Sequence, residues 1–132
     1  AEHWADTVYD VAQQTVPEHA FDLVVVTPGS PQAMLAGAAA VRNGGTLLLF
    51  APTKPGDAVP FPVNDLFFRE VTVVTSYSAG PDDMKTALEH VVAGDVPADV
   101  LISHTFPLAE IGQAYEKAQH VHDALKVVVT MG

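Results

Sequence analysis

Four short apolar runs constrain this chain most: FDLVVVT at 21–27, TLLLF at 46–50, VTVVTSY at 71–77 and LKVVVTM at 125–131. FDLVVVT is β-branched and apolar through its middle. It reads as a strand buried on both faces, the pattern of a parallel sheet. ISHTF, at 102–106, reads as a further short strand. Segments of helical period lie between the runs. Residues 4–16 put Trp4, Val8, Val11, Ala12 and Val16 at helical spacing, and Pro17 ends that segment. Ser30 can cap a helix with Pro31 in its first turn, lined by Met34, Leu35, Ala38 and Val41. Gly80-Pro81-Asp82-Asp83 opens another, with acid at the positive end of the dipole. Met84, Leu88, Val91 and Val92 form its expected core face, and Gly94 its stop. Pro107 to about His122 is a third, using Leu108, Ile111, Ala114, Tyr115 and Ala118. Asn64 can cap a short helix, DLFFRE. AVPFPV, at 58–63, reads as a short extended piece that its prolines confine to an edge or a contact. Such alternation predicts an α/β layered fold with parallel strands and right-handed crossovers.

Gly44-Gly45 tests that order. A phosphate-binding glycine turn follows a strand and opens a helix, so that helix N–H groups meet the anion. These glycines follow a helical segment and precede TLLLF. They are expected to stop a helix, not to cradle a phosphate.

At 132 residues and 48% hydrophobic content, the chain suits one globular domain. Sixteen acidic and six basic side chains give a net charge of −10, which repels nucleic acid and anionic membrane surfaces. With no cysteine there is no disulfide, thiol catalyst or cysteine-ligated zinc. That absence is consistent with a cytoplasmic protein. No apolar run approaches the ~20 residues of a bilayer span. AEHWADTVYD lacks the basic flank and apolar stretch of a secretory signal. It also lacks a starting Met, as a trimmed terminus or a chain cut from a longer one would.

FDLVVVTPGSPQAM, RNGGTLLLFAP, LFFREVTVVTSYSAGPDDMKTALEHVVAGDV, LISHTFPLAEIGQAYEKA and ALKVVVT occur in that order. Together they resemble the C-terminal part of the medium-chain dehydrogenase/reductase family, nearest to its zinc-dependent alcohol, polyol and threonine dehydrogenases. The likeness runs from about residue 4 to residue 132. It implies half of a doubly wound parallel Rossmann sheet, strands 4-5-6, followed by a return segment. On that template residues 1–95 are the C-terminal half of a dinucleotide-binding domain. Residues 96–132 return toward a catalytic domain that this chain does not contain.

Several of the family's parts find no match. There is no GxGxxG after a strand, and no residue after a second strand to read the ribose. No zinc ligand is identified, so this chain is expected to supply no catalytic and no metal-binding residue. FDLVVVT would then present an unpaired apolar edge, which invites pairing with another chain. A homo-oligomer, or a missing N-terminal half, is expected.

Open α/β sheets bind ligands at the carboxyl ends of their strands. The resemblance therefore implies cofactor contacts at Thr27, Pro28 and Gly29, at Phe50, Ala51 and Pro52, and at Thr75, Ser76 and Tyr77. The backbone of the middle group would meet the nicotinamide carboxamide. Lys126 matches a basic position that the family uses near the cofactor pyrophosphate. AVPFPV and DLFFRE, with Phe61, Phe67 and Phe68, match a neighbourhood that joins two cofactor domains. His120-Val121-His122 with Asp123 offers metal-type donors, but rings two apart at a helix end splay and no third ligand is identifiable. His104 reads as structural, and Asp82-Asp83 as helix-dipole compensation.

The leading expectation is thus the C-terminal portion of an NAD(P)-dependent alcohol or polyol dehydrogenase. The complete enzyme would take an alcohol or ketone, NAD or NADP, and zinc bound outside this chain. One alternative is part of a zinc-free reductase of the same superfamily. Another is a non-catalytic half-Rossmann interaction or assembly module.

Overall fold

The β-branched and leucine-rich runs do form parallel strands. The computed structural model describes residues 5–120 and 122–131. The elements are β1 (Phe21–Val26), α1 (Pro31–Ala40), β2 (Val41–Leu49), α2 (Val63–Phe68), β3 (Thr72–Thr75) and α3 (Pro81–Ala93). They continue with α4 (Ala98–Leu101), β4 (Ile102–Pro107), a 3-10 turn (Leu108–Glu110), α5 (Ile111–Gln119) and β5 (Lys126–Thr130). Two compact units result, one ending at Ser78 and the other beginning at Ala79.

The first unit is a parallel sheet in the order β1-β2-β3. Val24 registers with Leu47 and Val26 with Leu49. Side chains alternate along a strand, so these four share one face. α1 covers that face with Met34 and Ala38, and Leu66 of α2 extends the core. Val59 and Phe61 pack in from the proline-rich loop. A Cβ on Gly37 would lie 2.6 Å from Val26 Cγ2 and 3.0 Å from Leu47 Cδ1, so glycine lets helix and sheet approach. Ser30 caps α1, its Oγ accepting the Ala33 N–H at 3.2 Å.

The other face of this sheet is open. Leu23 is 57% exposed, Val25 45% and Val74 39%. The expectation that FDLVVVT is buried on both faces is therefore corrected within this unit, where α1, α2 and the loop all lie on one side. β1 has β2 as its single strand neighbour among the described residues.

Gly44-Gly45 do not stop the helix. α1 ends at Ala40, and both glycines lie inside β2. Phe21 pairs with Val41, but Leu23 already pairs with Thr46, so β2 makes an excursion there. Gly44 turns it at φ 69°, with its N–H on the Arg69 carbonyl at 2.7 Å. A Cβ on Gly45 would lie 2.7 Å from Val41 Cγ2 and 2.9 Å from the Asp22 carbonyl oxygen. Glycine is needed here for a kinked strand.

The helix expected over 4–16 is also corrected; Trp4 lies outside the described residues. Asp10 diverts the segment into a turn: its Oδ1 accepts the Ala12 N–H at 3.0 Å, and its carbonyl the Gln13 and Gln14 N–H groups. An aspartate that captures the next N–H groups competes with helix. Asn64 falls inside α2, whose N-cap is Pro62. AVPFPV forms no ladder; Phe61 and Val63 donate to carbonyls two residues back.

Arg69 is 7% exposed. Its Nη1 donates to the Val41 carbonyl at 2.7 Å and its Nη2 to the Ala38 carbonyl at 2.8 Å. The same guanidinium pairs with Asp65, one turn earlier on α2, at 2.7 Å. One side chain thus closes the C-terminus of α1, fixes the start of β2 and ties both to α2.

In the second unit, Gly80 precedes α3 and donates its N–H to Asp83 Oδ2 at 2.8 Å; Gly94 ends the helix at φ 81°. The expected core face of α3 is uncovered, with Met84 63%, Leu88 62% and Val92 80% exposed. β4 and β5 pair in parallel, and α5 lays Ala114 against them as its buried residue. The segment expected as one helix from Pro107 to about His122 is a 3-10 turn followed by an α-helix ending at Gln119.

Candidate functional site

Because β1, β2 and β3 are parallel and in register, their carboxyl ends reach one edge of the sheet. Two hydrogen bonds carry the pairing past the strands. Phe50 N–H donates to the Val26 carbonyl at 3.0 Å, and Ser76 N–H to the Leu49 carbonyl at 3.1 Å. Nine of the ten residues expected to contact a cofactor are gathered here: Thr27, Pro28 and Gly29 after β1, Phe50, Ala51 and Pro52 after β2, and Thr75, Ser76 and Tyr77 at the end of β3. Pro28 also turns the chain into α1, its carbonyl accepting the Ser30 N–H at 2.9 Å.

The first two loops touch. A methyl group on Gly29 would overlap the carbonyl oxygen of Pro52. Beside them lies a cavity of about 410 Å³, lined chiefly by Met34, Leu49, Ala51, Thr75, Ser76 and Tyr77. Thr27, Pro28, Gly29 and Phe50 do not line it. The nine residues carry no carboxylate, imidazole or ammonium group. Such an edge offers main-chain N–H and C=O groups and the hydroxyls of Thr27, Thr75, Ser76 and Tyr77. It can hold a planar amide by shape and hydrogen bonds.

Lys126, the tenth residue, belongs to the second unit. It opens β5 and lines a cleft of about 410 Å³ with Val91, Val96, Leu101, Ile102 and Leu125. No hydrogen bond or ion pair to its ammonium group is present among the described residues. Ser103 Oγ donates to its carbonyl at 3.2 Å.

Elsewhere, Phe67 and Phe68 meet edge to face at 5.5 Å and remain 74% and 76% exposed. A groove of about 510 Å³ runs beside them, lined by Phe61, Val63, Leu66, Val71 and Val73. His104 is half-buried and stacks on Phe106, with Nδ1 3.0 Å from Ser103 Oγ. Asp123 Oδ2 lies 3.5 Å from Lys117 Nζ; Val121 of the histidine pair lies outside the described residues. Among the described residues, no three His, Cys, Asp or Glu side chains converge as a metal site requires. No helix among them is long and apolar enough to cross a membrane.

Two residues escaped the sequence reading. Met34 reads as plain core, yet it stands in the first turn of α1 and lines the cavity. Arg69 had a visible signal, the i,i+4 spacing from Asp65, but nothing local announced its burial.

Residues 2–93 match a protein-family model described as zinc-binding dehydrogenase. Among curated proteins, L-galactonate-5-dehydrogenase of Escherichia coli is 26% identical over 94 residues, 71% of this chain and 27% of that protein. Among solved structures, L-idonate 5-dehydrogenase of Escherichia coli superposes with a TM-score of 0.76 at 20% identity, over 92% of this chain and 35% of that one. An alcohol dehydrogenase of Thermotoga maritima gives 0.74 at 25% identity, over 84% and 30%. The chain therefore spans about a quarter to a third of the length of these relatives.

Proposed function

This chain belongs to the zinc-binding dehydrogenase family, and from that premise we propose that it is the C-terminal portion of an NAD(P)-dependent alcohol or polyol dehydrogenase, forming the nicotinamide side of the cofactor site. Residues 1–95 are the later half of the dinucleotide-binding domain, and residues 96–132 the return segment. The observation that carries this reading is the meeting of three strand ends at one uncharged edge, with Gly29 against Pro52.

The edge suits a nicotinamide. Its cavity is apolar on the strand side and has hydroxyl groups at the β3 end. Main-chain groups of Phe50–Pro52 would hold the carboxamide. Thr27–Gly29 and Thr75–Tyr77 would flank the ring and limit the water that reaches it. Lys126 would pair with the pyrophosphate. When bound, the nicotinamide supplies hydride exchange with an alcohol or ketone. Zinc, which the resemblance implies for the complete enzyme, finds no ligand set among the described residues.

The exposed Phe67–Phe68 pair and its groove support a homo-oligomer formed through this neighbourhood. The test is the intact mass of the native protein, followed by titration with NADH and NADPH. A mass of roughly two to three times this chain, with a two-domain architecture and saturable binding of a dinucleotide, is expected. A native mass near 13.9 kDa without dinucleotide binding would overturn the proposal. It would favour a half-Rossmann assembly module instead.

A further inference from the structure

β4 and β5 fall out of step at their start. Ile102 pairs with Lys126, yet His104 already pairs with Val127. Two residues advance on β4 for one on β5, so the ladder skips Ser103. Its hydroxyl fills the gap. Ser103 Oγ accepts the Leu125 N–H at 3.0 Å and donates to the Lys126 carbonyl at 3.2 Å.

A serine hydroxyl has one proton and two lone pairs. The proton goes to Lys126 and one lone pair to Leu125. The second lone pair faces His104 Nδ1, 3.0 Å away. That contact is a hydrogen bond only if the imidazole carries a proton on Nδ1. The capacity of Ser103 is then fully used, and His104, stacked on Phe106, holds the hydroxyl in place.

We propose that Ser103 is the positioning residue for Lys126: its hydroxyl, oriented by His104, fixes the main chain of Leu125 and Lys126 and so sets where the lysine ammonium group is presented. This rests on the reading of Lys126 as the pyrophosphate contact. A turn precedes Lys126, with Asp123 and Ala124 both donating to the His120 carbonyl, and Leu125 is 76% exposed. Val127, on the far side, is half-buried, but on the near side Leu125 does not anchor the lysine by burial. The Ser103 bridge does so through the backbone.

The experiment measures binding of NADH and of reduced nicotinamide riboside, which carries no phosphate, by fluorescence in the complete protein. Lys126→Ala should weaken NADH roughly tenfold to a hundredfold, as loss of a charged hydrogen bond does. Ser103→Ala should weaken NADH by about threefold to tenfold, as loss of a neutral bond that organises the site does. It should leave the riboside unaffected. Ser103→Thr, which keeps the hydroxyl, should restore NADH binding. In the Lys126→Ala background, Ser103→Ala should cost nothing further, because the two act in series. An equal loss for both ligands, full additivity or no rescue by threonine would make Ser103 merely structural and overturn the proposal. So would unchanged NADH binding in Ser103→Ala beside a weakened Lys126→Ala. Unchanged NADH binding in Lys126→Ala would instead remove the reading of Lys126, and this inference with it.

Discussion

Gly29, just beyond β1, and Pro52, just beyond β2, approach so closely that the Pro52 carbonyl oxygen occupies the space of a Gly29 side chain. The two loops meet only because one residue has no Cβ. Gly29→Ala should force them apart and weaken NADH binding in the complete protein by at least about tenfold, since small misplacements at a binding edge are costly. Gly112 is the control. It lies in α5 with nothing within 4 Å of its notional Cβ. Gly112→Ala should leave cofactor affinity unchanged and raise stability by up to about 1 kcal/mol. Equal effects at the two glycines, in fluorescence titration and thermal unfolding, would contradict the steric account.

Arg69 satisfies two carbonyls and a carboxylate from one buried position. Arg69→Ala should cost about 2–4 kcal/mol in denaturant unfolding, because the Ala38 and Val41 carbonyls lose their donor. Arg69→Lys should recover little, since an ammonium group cannot reproduce the planar fork. The Arg42–Asp22 pair gives the contrast, with side chains 49% and 79% exposed. Asp22→Asn should change stability by about 0.5 kcal/mol or less, and less still in high salt.

The open face and single-sided edge of β1 bear on association. The isolated chain should self-associate, seen by light scattering as a mass that rises with concentration. Leu23→Lys, which places a charge on an edge strand, should reduce this. A monodisperse wild-type monomer with a cooperative melt would show that β1 needs no partner.

Phe67 and Phe68 make a separate prediction. In the complete protein, Phe67→Lys should shift the sedimentation profile toward the single subunit while cofactor affinity changes little. An unaltered profile would place the oligomer contact elsewhere.

Much of this architecture could be read from local chemistry. β1, α1 and α3 announce themselves by β-branched runs, by Ser30-Pro31, and by the Gly80–Asp83 opening with its Gly94 stop. The convergence of three strand ends followed from parallel order alone. What stayed hidden depends on distant partners. Val8 and Val11 have helical spacing, but Asp10 spends the N–H groups on a turn. Gly44-Gly45 look like a helix stop until the Asp22 and Arg69 carbonyls are seen beside them. The closeness of Gly29 to Pro52 has no local signal, because it joins loops separated by a helix and a strand. Arg69 offered its i,i+4 partner, but not the carbonyls it reaches on α1 and β2.

The closure of α1 by Arg69 has a temporal side. α1 spans ten residues, has no basic residue in its last turn, and takes its closing donor from a residue thirty-one positions beyond Ala38. A helix that short is marginal alone in water. During synthesis the segment through β2 must therefore leave the ribosome with its helix end open. Translation to Arg69 takes on the order of seconds more, at the usual rate of elongation. In that interval the β1–α1–β2 unit keeps its helix end open, and it closes only once the chain as far as Arg69 has followed it out.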